Sequence, residues 1–260
     1  MSDPELVRLE TRENGVRILT LDRPPVNALG RELVRDLRRA CERLLGDERA
    51  RCLVVRSAGK HFSGGADLKE RQGMSLDEVR EFVQSLQATF TSLAGLPFPT
   101  IAAVRGAAVG GGCELALASD LRILAEDATM GLREVALAIL PGAGGTQRLP
   151  RLIGPARAKR WIFTAHAHSA REALADGVAD RIVPAMDLDG EALRWAETIA
   201  SHGPVAIRLA KKAIDGGADL PLPEALRLEW DCYLGTLETE DRVEGLRAFS
   251  EKRPPRYEGR

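Results

Sequence analysis

The chain is short of aromatic residues, of paired cysteines and of net charge, and each shortage closes off a class of function. Phe, Trp and Tyr make up 4% of 260 residues, too few for the stacking platforms that hold single-stranded nucleic acid. The formal net charge is -1, so no global field draws the protein to nucleic acid or to an anionic membrane. Cys41, Cys52, Cys113 and Cys232 are far apart and form no CxxC pair; that spacing predicts reduced thiols and no metal site. No apolar run reaches the roughly 18 residues of a membrane helix. The start, MSDPELVRLE, is acidic and lacks the apolar centre of a secretory signal. A cytoplasmic protein is expected.

Glycine, in short clusters, is what the sequence has instead. The stretch AAVRGAAVGGGCELALASD, residues 102–120, sets Gly110, Gly111 and Gly112 directly before Cys113 and Glu114, at the mouth of an apolar helix. Three consecutive glycines cost backbone entropy to order, and an ionised carboxylate in apolar surroundings costs desolvation. Such costs side by side mark a site. Phosphate-binding motifs do not fit: no GK[ST] follows the glycines, and Leu115 stands where a dinucleotide fingerprint needs its third glycine. Two readings remain. In one, bare N–H groups around Gly111 and the positive end of the helix stabilise an oxyanion, with Glu114 acting one turn further on. In the other, Glu114 only complements the helix dipole and the glycines permit close packing.

Two further clusters bear on that choice. Gly64-Gly65-Ala66 follows the apolar CLVVRS, and Glu134 precedes Gly142, Gly144 and Gly145. Two carboxylates and two amide-rich loops are what enolate stabilisation with proton transfer requires. Taken alone, Glu134 beside Arg133 also reads as a surface ion pair.

Local patterns predict the scaffold. LVRLETRENGVRILTL reads as a hairpin about a type I′ turn at Asn14-Gly15. Leu33, Leu37, Ala40, Cys41, Leu44 and Leu45 recur at helical spacing. Ser75 with Glu78 forms a capping box before an inner face of Val79, Phe82, Val83, Leu86 and Phe90. CLVVRS, TIAAV and LRILA read as short buried strands. The strand–strand–helix rhythm predicts an α/β core over residues 1–187, each turn stacked on the last. Over 188–260 strands cease; Pro204 and Pro223 open helices and Gly216-Gly217 close one. His166-Ala167-His168 has no third ligand in reach and is read as structural.

The segments HFSGGADLKE, GGGCELALASD and LPGAGGTQRLPRLIG together resemble the crotonase (enoyl-CoA hydratase/isomerase) superfamily, and the likeness runs from LTLDRPPVNAL to RAFSEKRPPRY. Within it the chain is most similar to the methylglutaconyl-CoA hydratases, through ADLKER, MGLREVALAILPGAGGTQRLPR, GPVAIRLAKKAI and DRVEGLRAFSEKRPPRY. The resemblance implies a crotonase-like spiral of repeated β-β-α units. Residues 188–260 would be a C-terminal helical oligomerisation region, joining trimers or a dimer of trimers through faces such as Leu226, Leu228, Trp230 and Tyr233. The implied reaction is reversible hydration of 3-methylglutaconyl-CoA to 3-hydroxy-3-methylglutaryl-CoA, in leucine breakdown or, reversed, toward isovaleryl-CoA. Crotonyl-CoA is the alternative substrate.

By motif position, the N–H groups of Ala66 and Gly111 would form the oxyanion hole, and Glu114 and Glu134 would share one water. The amide of Gly142 would help hold that water, or Gly142 is a turn glycine only. No tightly bound cofactor is implied: coenzyme A arrives as part of the thioester, along Gly64, Ala66, Asp67 and Leu68. Arg23 would lie near its phosphates, and Phe249 and Lys252 of a neighbouring subunit would cover it. A lysine often found before NAL in relatives is Pro25 here, in RPPVNAL, which weakens the phosphate contacts expected of that loop. Lys69, Arg71 and Arg133 are the cations near enough in sequence for a distal substrate carboxylate. An RNA-binding relative raises AU-rich RNA as a rival ligand. However, Arg49, Arg51 and Arg56 are interrupted by acids and run into a buried strand, so RNA binding is not expected.

Overall fold

The computed structural model describes residues 5–260. The first two strands, β1 (Val7–Thr11) and β2 (Val16–Leu21), form the expected antiparallel hairpin, but the turn is longer than a two-residue type I′. Gly15 N–H closes on the Arg12 carbonyl at 3.1 Å, and Gly15 takes the positive φ, 86°. The Asn14 side chain accepts the Val16 N–H at 3.1 Å, so Asn14 serves the turn through its amide oxygen rather than through a left-handed backbone.

Helix α1 (Arg31–Leu45) buries Leu33, Leu37, Ala40, Cys41 and Leu44 and leaves Leu45 outside. Strand β3 (Cys52–Ser57) pairs parallel with β2. After the short α2 (Leu68–Gln72), the Ser75/Glu78 capping box opens α3 (Leu76–Ala94). Phe82, Leu86 and Phe90 are buried there, whereas Val79 and Val83 are half-buried.

From this point the chain alternates between two sheets. Strand β4 (Thr100–Val104) joins a six-stranded sheet, and β5 (Ala107–Val109) crosses to a three-stranded one. After α4 (Gly111–Leu117), β6 (Leu121–Ala125) returns to the first sheet and β7 (Thr129–Gly131) to the second. Helices α5 (Gly145–Ile153) and α6 (Pro155–Phe163) follow, then β8 (His168–Ser169), α7 (Ala170–Asp176) and β9 (Arg181–Val183). The sheets are ordered β1-β2-β3-β4-β6-β9 and β5-β7-β8. This is the spiral of β-β-α turns that the resemblance implies. Strands β5 and β7 also pair in parallel, so their ends line up: the glycine run that follows β5 and the Glu134 turn that follows β7 meet in a single corner, joined by the loop after β3 through a bridge of Ser63 to Ala108. That corner carries the site.

Helix α8 (Leu188–Ala200) lies on β3, β4 and β6, with Leu188, Ala192, Ala196 and Ala200 in the core. The first helix of the C-terminal stretch is therefore a layer of the spiral. Helices α9 (Pro204–Gly217) and α10 (Leu222–Leu237) pack on each other, and α11 (Glu240–Ser250) follows. Lys211 on α9 is ion-paired to Asp120 beside β6. His168 is buried and stacks on Trp161, ring centroids 4.0 Å apart. Among the described residues no group of three His, Cys, Asp or Glu is placed to hold a metal, and no helix is long and apolar enough to cross a membrane.

Candidate active site

The glycine run bends the chain where β5 gives way to α4. Gly110 has φ 56° and ψ -127°, a backbone state that side chains rarely tolerate, and its N–H bonds the Gly131 carbonyl at 2.8 Å. A Cβ on Gly112 would collide with the carbonyl oxygen of Ser63. Gly112 thus lets the start of α4 press against the loop that follows β3, while Gly110 lies against Glu134 on the other side. Gly111 N stands 3.3 Å from where a Cβ of Gly65 would be, and Ala66 N stands 3.8 Å from where a Cβ of Gly111 would be. Among the described residues neither N–H has a protein acceptor, because Leu29 bonds Gly65 O and Asp67 N and skips Ala66. Two unused donors converge.

Glu114 sits one turn inside α4, 3% exposed. Its Oε1 accepts two backbone N–H groups, from Ala143 and Gly145, each at 2.8 Å. Gly145 begins α5, so the carboxylate also meets the positive end of that helix. Glu134 opens a 3₁₀ turn, Glu134–Leu137, and its Oε2 is buried without a partner. Its Oε1 lies 3.2 Å from where a Cβ of Gly110 would be. Burial, and then the charge of Glu114, push the Glu134 carboxyl up to about 7. Burial raises Glu114 as well, opposed by its two N–H partners and by the Arg148 guanidinium. Two carboxylates in one poorly solvated site resist ionising together. Near neutrality the pair therefore holds a proton, with Glu114 the better supported anion.

Both open onto a cavity of 260 Å³ that Gly64, Ala66, Leu68, Gly111 and Gly142 also line. Val83, Leu86, Leu137, Ile139 and Leu140 form an apolar wall, and Arg71 and Arg133 complete the lining; Lys69 does not reach it. Larger hollows of 620 and 680 Å³ lie around Arg51 and Tyr257 and along α11. Charged and polar residues dominate their linings, and among the described residues neither holds a buried carboxylate oxygen without a partner. The smaller cavity is the chemical one.

The other sequence candidates fall into place less completely. Asp67 caps α2 by accepting the Glu70 N–H and pairs with Arg23 at 2.8 Å. Arg23 also donates to the Ala28 carbonyl at 2.6 Å, so within the chain these two charges answer each other beside the cavity. Phe249 and Lys252, at the end of α11, are exposed and do not line it. Gly142 lines the cavity, but the amides on Glu114 come from Gly145, named in the sequence only as part of the glycine cluster, and from Ala143, which the sequence did not single out. The glycine cluster GAGGTQR was the available signal, because small residues there leave amides bare.

The family described as Enoyl-CoA hydratase/isomerase matches residues 11–260. The human protein named "Methylglutaconyl-CoA hydratase, mitochondrial" is 45% identical over 258 residues, 96% of this chain and 76% of that protein. A mouse protein named "Enoyl-CoA hydratase domain-containing protein 2, mitochondrial" is 45% identical over 253 residues, 95% of this chain and 85% of its own. The crystal structure of an enoyl-CoA hydratase from Bacillus anthracis superposes with a TM-score of 0.96 at 44% identity, covering 98% of this chain and 100% of that one. The chain belongs to the enoyl-CoA hydratase/isomerase family, as an enzyme of the hydro-lyase type.

Proposed function

We propose that the protein reversibly hydrates 3-methylglutaconyl-CoA to 3-hydroxy-3-methylglutaryl-CoA. The thioester oxygen sits between the N–H groups of Ala66 and Gly111, where an enolate is stabilised as its charge develops. One such donor contributes about 3 kcal/mol to an acyl transition state. Glu114 takes a proton from water as the water oxygen bonds the β carbon, and Glu134 gives its proton to the α carbon. The pair ends with its proton moved from Glu134 to Glu114, and exchange with solvent restores the start. Coenzyme A runs along Gly64, Ala66 and Leu68. Gly142 helps confine the water.

The observation that carries this reading is the coexistence, in one cavity, of the carboxylate pair with the cations Arg71 and Arg133. The pair suits addition of water, and the cations suit an acyl group that ends in a second carboxylate. The name of the human relative points the same way. On α10, Leu226, Trp230 and Tyr233 form an exposed stripe while Leu228 turns toward Gly216 of α9. That stripe supports a trimerising role for the helical region, in which exposed Phe249 and Lys252 of one subunit reach the coenzyme of another.

The test compares kcat/KM of the purified protein for 3-methylglutaconyl-CoA and crotonyl-CoA. A preference for the former is expected. A clear preference for crotonyl-CoA, the general short-chain substrate, overturns the acyl assignment and leaves the acid–base pair in place.

A further inference from the structure

Arg148, on the first turn of α5, does not line the substrate cavity, yet it is wrapped around the loop that holds Glu114. Its Nη1 donates to the carbonyl of Ala143 at 2.9 Å and its Nη2 to Thr91 Oγ1 on α3 at 3.3 Å. A Cβ on Gly144 would collide with the same Nη1, so the guanidinium lies directly against that residue's backbone.

The covalent geometry makes this contact consequential. The two N–H groups on Glu114 belong to the peptides Gly142–Ala143 and Gly144–Gly145. The carbonyl that Arg148 holds belongs to the planar peptide between them. Fixing that middle plane fixes how its neighbours rotate, because only the φ and ψ angles at Ala143 and Gly144 join the three. Gly144 itself has φ 113°, a state open to glycine and closed to most side chains, so this loop conformation depends on the bare backbone that Arg148 packs against.

We propose that Arg148 is a positioning residue for the reaction, locking residues 143–145 in the arrangement that delivers both backbone donors to Glu114. The inference rests on Glu114 being the proton acceptor described above. The cation also acts through space: it favours the charged form of Glu114. The other charged or titratable groups around the pair are few. Glu134 faces Glu114 from the 3₁₀ turn, Cys113 neighbours it on α4 with its thiol pushed up by burial, Arg71 of α2 acts on Glu134, and Arg122 of β6 acts on Cys113.

The experiment measures kcat, KM and the pH profile of R148Q and R148K, with whichever thioester the wild-type protein turns over faster, and E114Q alongside. Arg148→Gln is expected to lower kcat by about tenfold to a hundredfold with little change in KM. Its acid limb is expected at higher pH than in the wild type, since an anion without its nearby cation protonates sooner. Arg148→Lys keeps the charge but not the fork, so it should restore the limb while recovering only part of kcat. Thr91→Val, which removes only the outer anchor, should move kcat in the same direction by less, and it carries the test if R148Q does not fold. If E114Q is inactive while R148Q and T91V keep the wild-type kcat and acid limb, the positioning role is overturned. If E114Q remains active, it is the acid–base reading that fails instead.

Discussion

Glu134 in the cavity and Glu244 on α11 are chemically the same side chain at opposite ends of the carboxylate range. Burial and a like charge push Glu134 up to about 7. Arg253 hydrogen-bonds Glu244 through two nitrogens, the Arg256 N–H adds a third contact, and the carboxyl is held down at about 2. The C-terminal segment surrounds its acid with donors and fastens the tail to α11. The cavity leaves Glu134 Oε2 buried with nothing to bond, a position that costs stability unless a ligand or water completes it. The difference separates a carboxylate wrapped in donors from one left short of them, which is what the proposed reaction asks of Glu134.

The comparison breaks most visibly in turnover. Glu114→Gln and Glu134→Gln should each lower kcat by at least ~10²-fold, the loss typical of general acid–base groups, while Glu244→Gln leaves kcat near the wild-type value. Equal effects at all three positions in a steady-state assay would abolish the distinction.

Stability should move the other way. Glu134 binds its proton more tightly folded, at about 7, than at the ordinary 4.5. Folded stability from this group is therefore present below pH 4.5 and is lost as pH rises through 7. Urea titration at pH 8 should find Glu134→Gln more stable than wild type, with a ceiling of ~3 kcal/mol for a shift of that size. A variant both inactive and destabilised at pH 8 would mark Glu134 as structural.

The pH profile sharpens the same contrast. The hydration reaction should slow above pH 7 as the pair loses its proton, up to about tenfold per pH unit for one required proton. A rate constant flat from pH 6 to 9 would show that the proton on Glu134 is not used. The smallest effect is expected at the tail. Glu244 contributes above pH 4.5, and that contribution is lost as pH falls toward 2. At neutral pH, Glu244→Gln should expose residues 253–260 to protease faster than in wild type, with little change in the melting of the core.

The legible parts of the molecule were those whose cause is local. CLVVRS, TIAAV and LRILA became β3, β4 and β6 because central parallel strands are apolar on both faces. The Ser75/Glu78 box formed because both partners lie within one helical turn. Strands β5, β7 and β8, two or three residues each, were not legible, since segments that short show no period and exist by pairing with one another. Leu45 matched the helical repeat of α1 and still ended outside, because Leu44, one residue earlier, takes the core-facing position of the last turn. At the site, Glu114 and Gly111 stood out through the cost of their neighbours. The donors on Glu114 are 29 and 31 residues away, and Arg148 acts through a carbonyl on the far side of that loop. The salt bridge of Arg23 with Asp67 was equally invisible, because it spans two loops brought together by the sheet.

The sequence by itself determined which residues could carry the reaction: glycines where a main-chain donor must be bare, and glutamates where an apolar segment would otherwise exclude them. Tertiary structure alone decided what those residues became. It brought the ends of parallel strands to one corner, left two amides without acceptors, gave one glutamate two strong backbone donors and left an oxygen of the other buried without a partner, and thereby split the proton affinities of two identical side chains. Composition and spacing fix chemical type, but ionisation depends on dielectric, distance and hydrogen-bond partners, which exist only after the chain has folded.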